Sequence, residues 1–317
     1  MKVIFMGTPD FSVPTLEALV HSEHEVIAVV TQPDKPKGRG KEIQMPPVKE
    51  TALKYGIPVL QPVRAREESF IQQIRDLNPD VCVVIAFGQI LTKEFLDIPR
   101  YGCVNIHASL LPKYRGASPI QWSVINGDAE TGITTMLMNE GMDTGDMLEK
   151  LTVTLDPKET GGSLFDRLST MGGDLILSTL AKLEAGTITR TPQDHSQATY
   201  VKKIPKTLGD INWTQPAAQI ERLIRGLNPW PSAYTHLNGK MLKLWEADVL
   251  PDPSDTPSPV SDALCGTVLF ADASGLQIQT GNGILNVTSL QLEGKKRMDI
   301  GSFLRGYSIP VGTKLGE

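Results

Sequence analysis

The chain has 317 residues, 40% of them hydrophobic and 21% charged, with a net charge of −5. That length fits about two domains, and that composition fits a globular protein rather than a disordered or fibrous one. No apolar stretch approaches the ~20 residues of a membrane-spanning helix, and the acidic balance leaves only local clusters for any nucleic-acid contact, since salt confines each charge to about 8–10 Å.

Residues 2–6 are an apolar run closed by Gly7-Thr8-Pro9-Asp10. The run is too short for a secretory h-region and predicts a first strand. Residues 14–21 carry Leu16, Leu19 and Val20 at helical spacing, and residues 25–31 are β-branched. Helical patterns follow over 47–55 and 67–77. Residues 81–87 are continuously apolar, as in a strand buried on both faces, and 102–107 form the next strand. Ser118-Pro119 predicts an N-cap with proline at the first helical position, opening a helix to about Asn126. Residues 133–138 and 149–155 read as strands, and 162–186 as a long amphipathic helix. Alternating strands and helices predict an α/β domain over 1–189, with a doubly wound, mostly parallel, Rossmann-like sheet. In such sheets ligands bind beyond the carboxyl ends of the strands.

Residues 190–209, with Pro192 and Pro205, predict a linker. Within 210–317 a helix over 216–227 stops at Asn228-Pro229-Trp230-Pro231. Short strands follow over 233–237, 241–245, 265–270, 276–280 and 283–290, with an exposed loop over 252–262. Five short strands after one helix predict a small OB-like barrel, which suits nucleic-acid contact.

Several chemistries are excluded. The first strand leads into Gly7-Thr8-Pro9-Asp10-Phe11, without Gly-x-Gly-x-x-Gly spacing, and Thr31-Gln32-Pro33 stands where a ribose-binding acid would end the second strand. No Walker motif or metal-ligand cluster is present. Cys82, Cys103 and Cys265 are scattered among apolar residues and read as reduced core thiols of a cytoplasmic protein.

The chemistry-bearing stretch is Val104-Asn105-Ile106-His107-Ala108-Ser109-Leu110-Leu111-Pro112. Side chains alternate along a strand, so Asn105 and His107 share a face. A lone histidine is more often a satisfied core group, but an amide two residues earlier at a strand end supplies an oxyanion donor beside a proton carrier. A carboxylate to orient the imidazole stands in Gly141-Met142-Asp143-Thr144-Gly145-Asp146, where local chemistry leaves Asp143 and Asp146 equally available. The run Lys35-Pro36-Lys37-Gly38-Arg39-Gly40-Lys41 holds four positive charges and no acid. Such runs are usually solvated faces; here proline and glycines make one that can mould to phosphate.

Asn105 through Pro112, continued by Lys113-Tyr114-Arg115-Gly116-Ala117-Ser118-Pro119-Ile120-Gln121, resembles the formyltransferase family that uses 10-formyltetrahydrofolate. The resemblance runs nearly end to end and is similar to the branch whose acceptor is initiator methionyl-tRNA. It implies formyl transfer to the α-amino group, with 10-formyltetrahydrofolate as donor and no metal. It implies catalytic roles for Asn105, His107 and, at the first position of its block, Asp143. Ser109, Leu110, Leu111 and Pro112, with Phe87, Gly88 and Ile90, are then expected beside the folate, although 87–91 also reads as plain helix-start packing. Lys35, Lys37, Arg39 and Lys41 are expected to grip the tRNA acceptor end, Arg39 foremost because guanidinium both pairs with phosphate and stacks on bases. Lys203 and Lys206 are expected along a tRNA path or on plain solvated surface, and Trp213, Trp230 and Trp245 in packing before stacking. A monomer is expected. The catalytic block alone also admits a small amine acceptor, such as an amino sugar or glycinamide nucleotide. A non-catalytic RNA-binding module would leave Asn105 and His107 without a purpose.

Overall fold

The computed structural model describes residues 1–37, 42–250 and 264–316, which divide into two units. The first comprises Met1–Pro119, Glu130–Thr154 and Phe165–Val201; the second comprises Ile120–Ala129, Leu155–Leu164 and Lys202–Glu317. Residues 252–262, expected as an exposed loop, lie outside the described residues.

In the first unit the chain runs β1 (Lys2–Gly7), α1 (Val13–Val20), β2 (Glu25–Val30), β3 (Lys35–Lys37), β4 (Glu42–Gln44), α2 (Pro47–Lys54), β5 (Val59–Leu60), α3 (Glu68–Leu77), β6 (Val81–Ile85), α4 (Lys93–Leu96), β7 (Cys103–His107) and β8 (Arg115–Gly116). After α5 (Pro119–Asn126), all but its first residue in the second unit, come β9 (Glu130–Leu137), β10 (Met147–Thr154), α6 (Gly161–Glu184, its first turn also in the second unit) and β11 (Tyr200–Val201). Seven strands form one sheet in the order β10-β9-β7-β6-β1-β2-β5. From β7 to β5 every pairing is parallel; β9 and β10 join antiparallel. This is the mostly parallel doubly wound sheet expected. Its central strands are buried on both faces, so Val3, Phe5, Val83 and Ile85 are as inaccessible as Ile4, Met6, Cys82 and Val84 between them. The second set packs with Phe70, Ile71 and Ile74 of α3 and Phe95 of α4.

The expected strand over 81–87 ends at Ile85, because Ala86 turns into the left-handed region at φ 49° and Phe87 leaves the ladder. Residues 87–91 form no helix. Of the basic run, Lys35–Lys37 pair antiparallel with Glu42–Gln44, Lys35 opposite Gln44 and Lys37 opposite Glu42. Its stem is tied down: the Asp34 carboxylate accepts from Lys49 Nζ at 2.7 Å and Gln61 Nε2 at 2.7 Å.

The second unit holds α7 (Ala217–Gly226), β12 (Ala233–Leu237), β13 (Lys240–Leu250), β14 (Val268–Asp272), β15 (Gly275–Gln279), β16 (Ile284–Leu292), β17 (Met298–Asp299) and α8 (Ile300–Gly306). The sheet order is β12-β13-β16-β15-β14, antiparallel throughout, with β17 also on β16. The two outer strands are joined through the C-terminal segment: Gly312 N donates to Val268 O, Leu315 N to Gly266 O and Gly316 N to His236 O, each at 2.8–2.9 Å. That closure satisfies edge groups that an open sheet would expose and gives the expected barrel-like arrangement. Ala217, Ile220 and Ile224 of α7 pack into its core with Leu244, Ile278 and Val287.

Candidate active site

Asn105 and His107 lie on β7 between parallel β6 and antiparallel β9, both nearly buried. The His107 ring sets its Nε2 2.8 Å from the Tyr114 carbonyl oxygen. A carbonyl can only accept, so Nε2 carries the hydrogen and the neutral ring presents Nδ1 as a lone pair. Asp143 Oδ2 stands 3.7 Å from that Nδ1. The orienting partner therefore differs from expectation: Tyr114 fixes the tautomer, and Asp143 is too distant for a hydrogen bond. Two acceptors face each other across a gap that invites an N–H donor. A nitrogen placed about 2.8 Å from each atom subtends an angle of about 83° between them, within reach of the two N–H bonds of an attacking or protonated amine.

The Asn105 carboxamide makes no side-chain hydrogen bond among the described residues. Its polar atoms are not among the fully buried unpartnered ones, so water reaches the amide and an incoming acceptor can displace that water. Its place two residues before His107 makes a developing oxyanion the fitting acceptor.

The loop after β7 is braced from several sides. His107 O accepts from Ser109 N, and Thr134 Oγ1 donates to Ser109 O at 2.7 Å and accepts from Leu111 N at 3.2 Å. Ser109 Oγ donates to Lys113 O at 2.6 Å, and Lys150 Nζ donates to Leu111 O at 2.6 Å. Burial pushes the Lys150 ammonium below its ordinary pKa. Ser109 and Leu111 face inward and hold the loop, so among the four expected folate contacts only Leu110 and Pro112 present part of their surface. Phe87 needs a similar correction. Its ring is buried in the core, because the left-handed turn at Ala86 points it inward, and its carbonyl takes hydrogen bonds from Thr8 Oγ1 and Gln32 Nε2. Gly88 adopts φ 83°, and Ile90 stands 84% exposed.

Backbone strain gathers here. Tyr114 (φ 58°), Ser118 (φ 63°) and Asp143 (φ 52°) occupy the left-handed region, which costs a non-glycine residue of order 1 kcal/mol or more. Gly116 sits between them at φ 100°, and a Cβ there would meet Val201 O at 2.4 Å. The Gly116 N–H donates to Asp143 Oδ2 at 2.8 Å, and Tyr114 N–H donates to Thr199 Oγ1 at 2.8 Å. Gly145 is equally obligatory, since a Cβ would fall 1.8 Å from Leu137 O.

Two residues in this network carried no readable sign of it. Arg115, 1% exposed, donates from Nε and Nη2 to Gln193 Oε1 at 2.9 and 2.7 Å, and from Nη1 to Tyr200 Oη at 2.9 Å. Gln193, within the stretch expected as a linker, donates from Nε2 to Asp143 O and Gly145 O, both at 2.8 Å.

Of the basic residues, Lys35 is exposed on β3, while Arg39 and Lys41 lie outside the described residues, as does the Lys37 side chain. Lys203 and Lys206 are exposed in the second unit. Trp213 is core, its Nε1 donating to Thr235 Oγ1. Trp230 is exposed, and Trp245 has Lys243 and Arg297 over its ring at 5.8 and 5.2 Å. No cluster of potential metal ligands occurs among the described residues.

The chain is 59% identical over 313 residues to methionyl-tRNA formyltransferase of Agathobacter rectalis, covering 99% of both chains. It is 56% identical to methionyl-tRNA formyltransferase of Lachnospira eligens over the full length of both. A solved N-formyltransferase from Helicobacter canadensis, in complex with folinic acid and dTDP-3-aminofucose, shares the fold with TM-score 0.66 at 17% identity, over 90% of this chain and 99% of that one. Residues 1–180 match the formyl transferase family and residues 203–308 its C-terminal domain. The chain thus belongs to the formyl transferase family, among the methionyl-tRNA formyltransferases.

Proposed function

We infer that the protein transfers the formyl group of 10-formyltetrahydrofolate to the α-amino group of methionyl-initiator tRNA. The observation that carries the chemistry is the pairing of the uncommitted Asn105 amide with the two facing acceptors His107 Nδ1 and Asp143 Oδ2. An α-amine has a reference pKa of about 7.7–8.0, so a useful fraction is neutral near pH 7. Attack on the formyl carbon makes the nitrogen cationic and the oxygen anionic. Asn105 donates to that oxygen. His107 Nδ1 takes a proton from the nitrogen, and Asp143 offsets the positive charge on both. The folate N10 leaves with a proton that the same imidazole is placed to return.

Full-length similarity to methionyl-tRNA formyltransferases supports the acceptor. The hairpin stem beneath the basic run and the exposed Lys203 and Lys206 supply charge for an RNA backbone. Leu110, Pro112 and the rim at Gly88 and Ile90 are the matching folate surface. We assign residues 1–189 to catalysis and 210–317 to tRNA contact, joined over 190–209. The buried free thiols of Cys82, Cys103 and Cys265 fit a protein working in the reducing cytoplasm, and a monomer is proposed.

The test offers 10-formyltetrahydrofolate with initiator methionyl-tRNA, an amino-sugar nucleotide or glycinamide ribonucleotide as alternative acceptors. Formyl transfer to the charged tRNA, with none to the small amines, is the expected outcome. Transfer to a small amine alone overturns the acceptor, and no transfer at all overturns the reading.

A further inference from the structure

We propose that Gln193, braced by Arg115, is the positioning residue that holds Asp143 in its working place. The inference rests on the formyl-transfer reading of the site and adds to it two residues outside the Asn105–His107–Asp143 set.

Gln193 is nearly buried, and all its polar capacity is committed to one job. Its two amide hydrogens go to the carbonyls of Asp143 and Gly145, on either side of Thr144, and its oxygen takes two hydrogens from Arg115. Asp143 needs such a clamp. Its backbone is left-handed, a state that stays populated only where the surroundings enforce it. Releasing the two carbonyls frees the turn to relax and carries the carboxylate away from His107 Nδ1.

Arg115 is the unusual member. Its guanidinium is buried without an ion pair among the described residues, its partners being Gln193, His195 Nδ1 and Tyr200 Oη. Removing a cation from water without a counter-charge is expensive, and the hydrogen bonds Arg115 makes offset part of that cost. It lies between Tyr114, whose carbonyl fixes the His107 tautomer, and Gly116, whose N–H binds the Asp143 carboxylate. The contacts close a ring from Arg115 across to Gln193, on to Asp143 and back through Gly116, and His107 is tied to that ring by its hydrogen bond to Tyr114. Asp143 sits on the ring and His107 is fastened to it, so a shift of either breaks one of these hydrogen bonds.

The test is a double-mutant cycle on the full chain. Gln193→Ala should lower kcat about tenfold to a hundredfold, the scale of an ångström-level misplacement of a reacting group. Tetrahydrofolate affinity, measured directly, should stay within about threefold. If Gln193 acts through Asp143, the Asp143→Asn/Gln193→Ala protein should lose no more activity than Asp143→Asn alone, because coupled residues are non-additive. The imidazole ¹⁵N resonances of His107, recorded without substrates, should move in Gln193→Ala to where Asp143→Asn places them. Should Gln193→Ala fail to fold, Gln193→Met keeps the volume and removes the same hydrogen bonds. Fully multiplicative losses, or unmoved His107 resonances in an impaired variant, would overturn the proposal. The resonances report on the clamp whatever the acceptor is, so an error in the acceptor leaves this result standing.

Discussion

Replacing Asp143 by asparagine keeps the side chain's size and removes its charge. With Oδ2 3.7 Å from His107 Nδ1, Coulomb's law gives roughly 1 kcal/mol in bulk water and about 4.5 kcal/mol at an effective dielectric constant of about 20. The two side chains are only 8% and 17% exposed, which favours the upper part of that interval. At about 1.4 kcal/mol per decade, the cation formed as His107 takes up the proton loses roughly 10²- to 10³-fold of its stabilisation. Asparagine's oxygen can still accept from Gly116 N–H, so the loop stays closed and tetrahydrofolate binding should hold within a few-fold. The assay is single-turnover formylation of methionyl-tRNA at saturating enzyme, alongside tetrahydrofolate titration. A chemical step within threefold of the parent, or an equal loss in folate affinity, would refute the assignment of Asp143 as the charge partner of His107.

Asn105→Ala should reduce kcat by roughly 10²–10³, as loss of an oxyanion donor does, while substrate affinity changes little; a normal turnover number would remove the amide from that role. Arg39→Ala should weaken tRNA binding and lower the slope of log K against log salt by about one unit for one lost phosphate contact, and an unaltered slope would free the basic run of that duty. Glu149 tests acid stability. Burial works against its ionisation, but hydrogen bonds from Lys182, Thr179 and Ser178 outweigh this and hold its pKa below the ordinary value. A depressed folded-state pKa contributes stability above the unfolded value of about 4.3 and loses it as pH falls through the folded one. Glu149→Gln should therefore be less stable than the parent at pH 7 in urea, with the gap closing below about pH 4; a gap constant over that span would count against the account.

What the sequence disclosed follows from how local each signal is. Asn105 and His107 were legible together because a period of two places them on one face whatever the tertiary setting. The central strands were legible because a strand buried on both faces has no polar positions. The ends were less so: β6 stops two residues early because Ala86 adopts a positive φ that nothing in Ile-Ala-Phe announces. β13 runs on to Leu250 because Glu246 and Asp248, which break the apolar run, lie partly or fully exposed and keep their backbone in the ladder while their carboxylates pair with Arg297 and Lys158. α8 went unread because Ile-Gly-Ser-Phe-Leu-Arg-Gly is short and glycine-rich, and Asp299 caps it from outside any visible pattern. Arg115 stood in the stretch that carries the resemblance, without a role of its own. Its burial depends on Gln193, 78 residues away, and no spacing rule spans that distance. Asp143 and Asp146 could not be ranked by composition; the Gly116 N–H and the two carbonyl clamps distinguish them in space.

The root of the β3–β4 hairpin is salt-bridged. With Asp34 anchored to Lys49 and Gln61, the hairpin is fastened just before β3 begins. Closing a longer loop costs only about 0.6 kcal/mol for each doubling of its residues. A change in the length of the connection between β3 and β4 therefore costs the rest of the domain little.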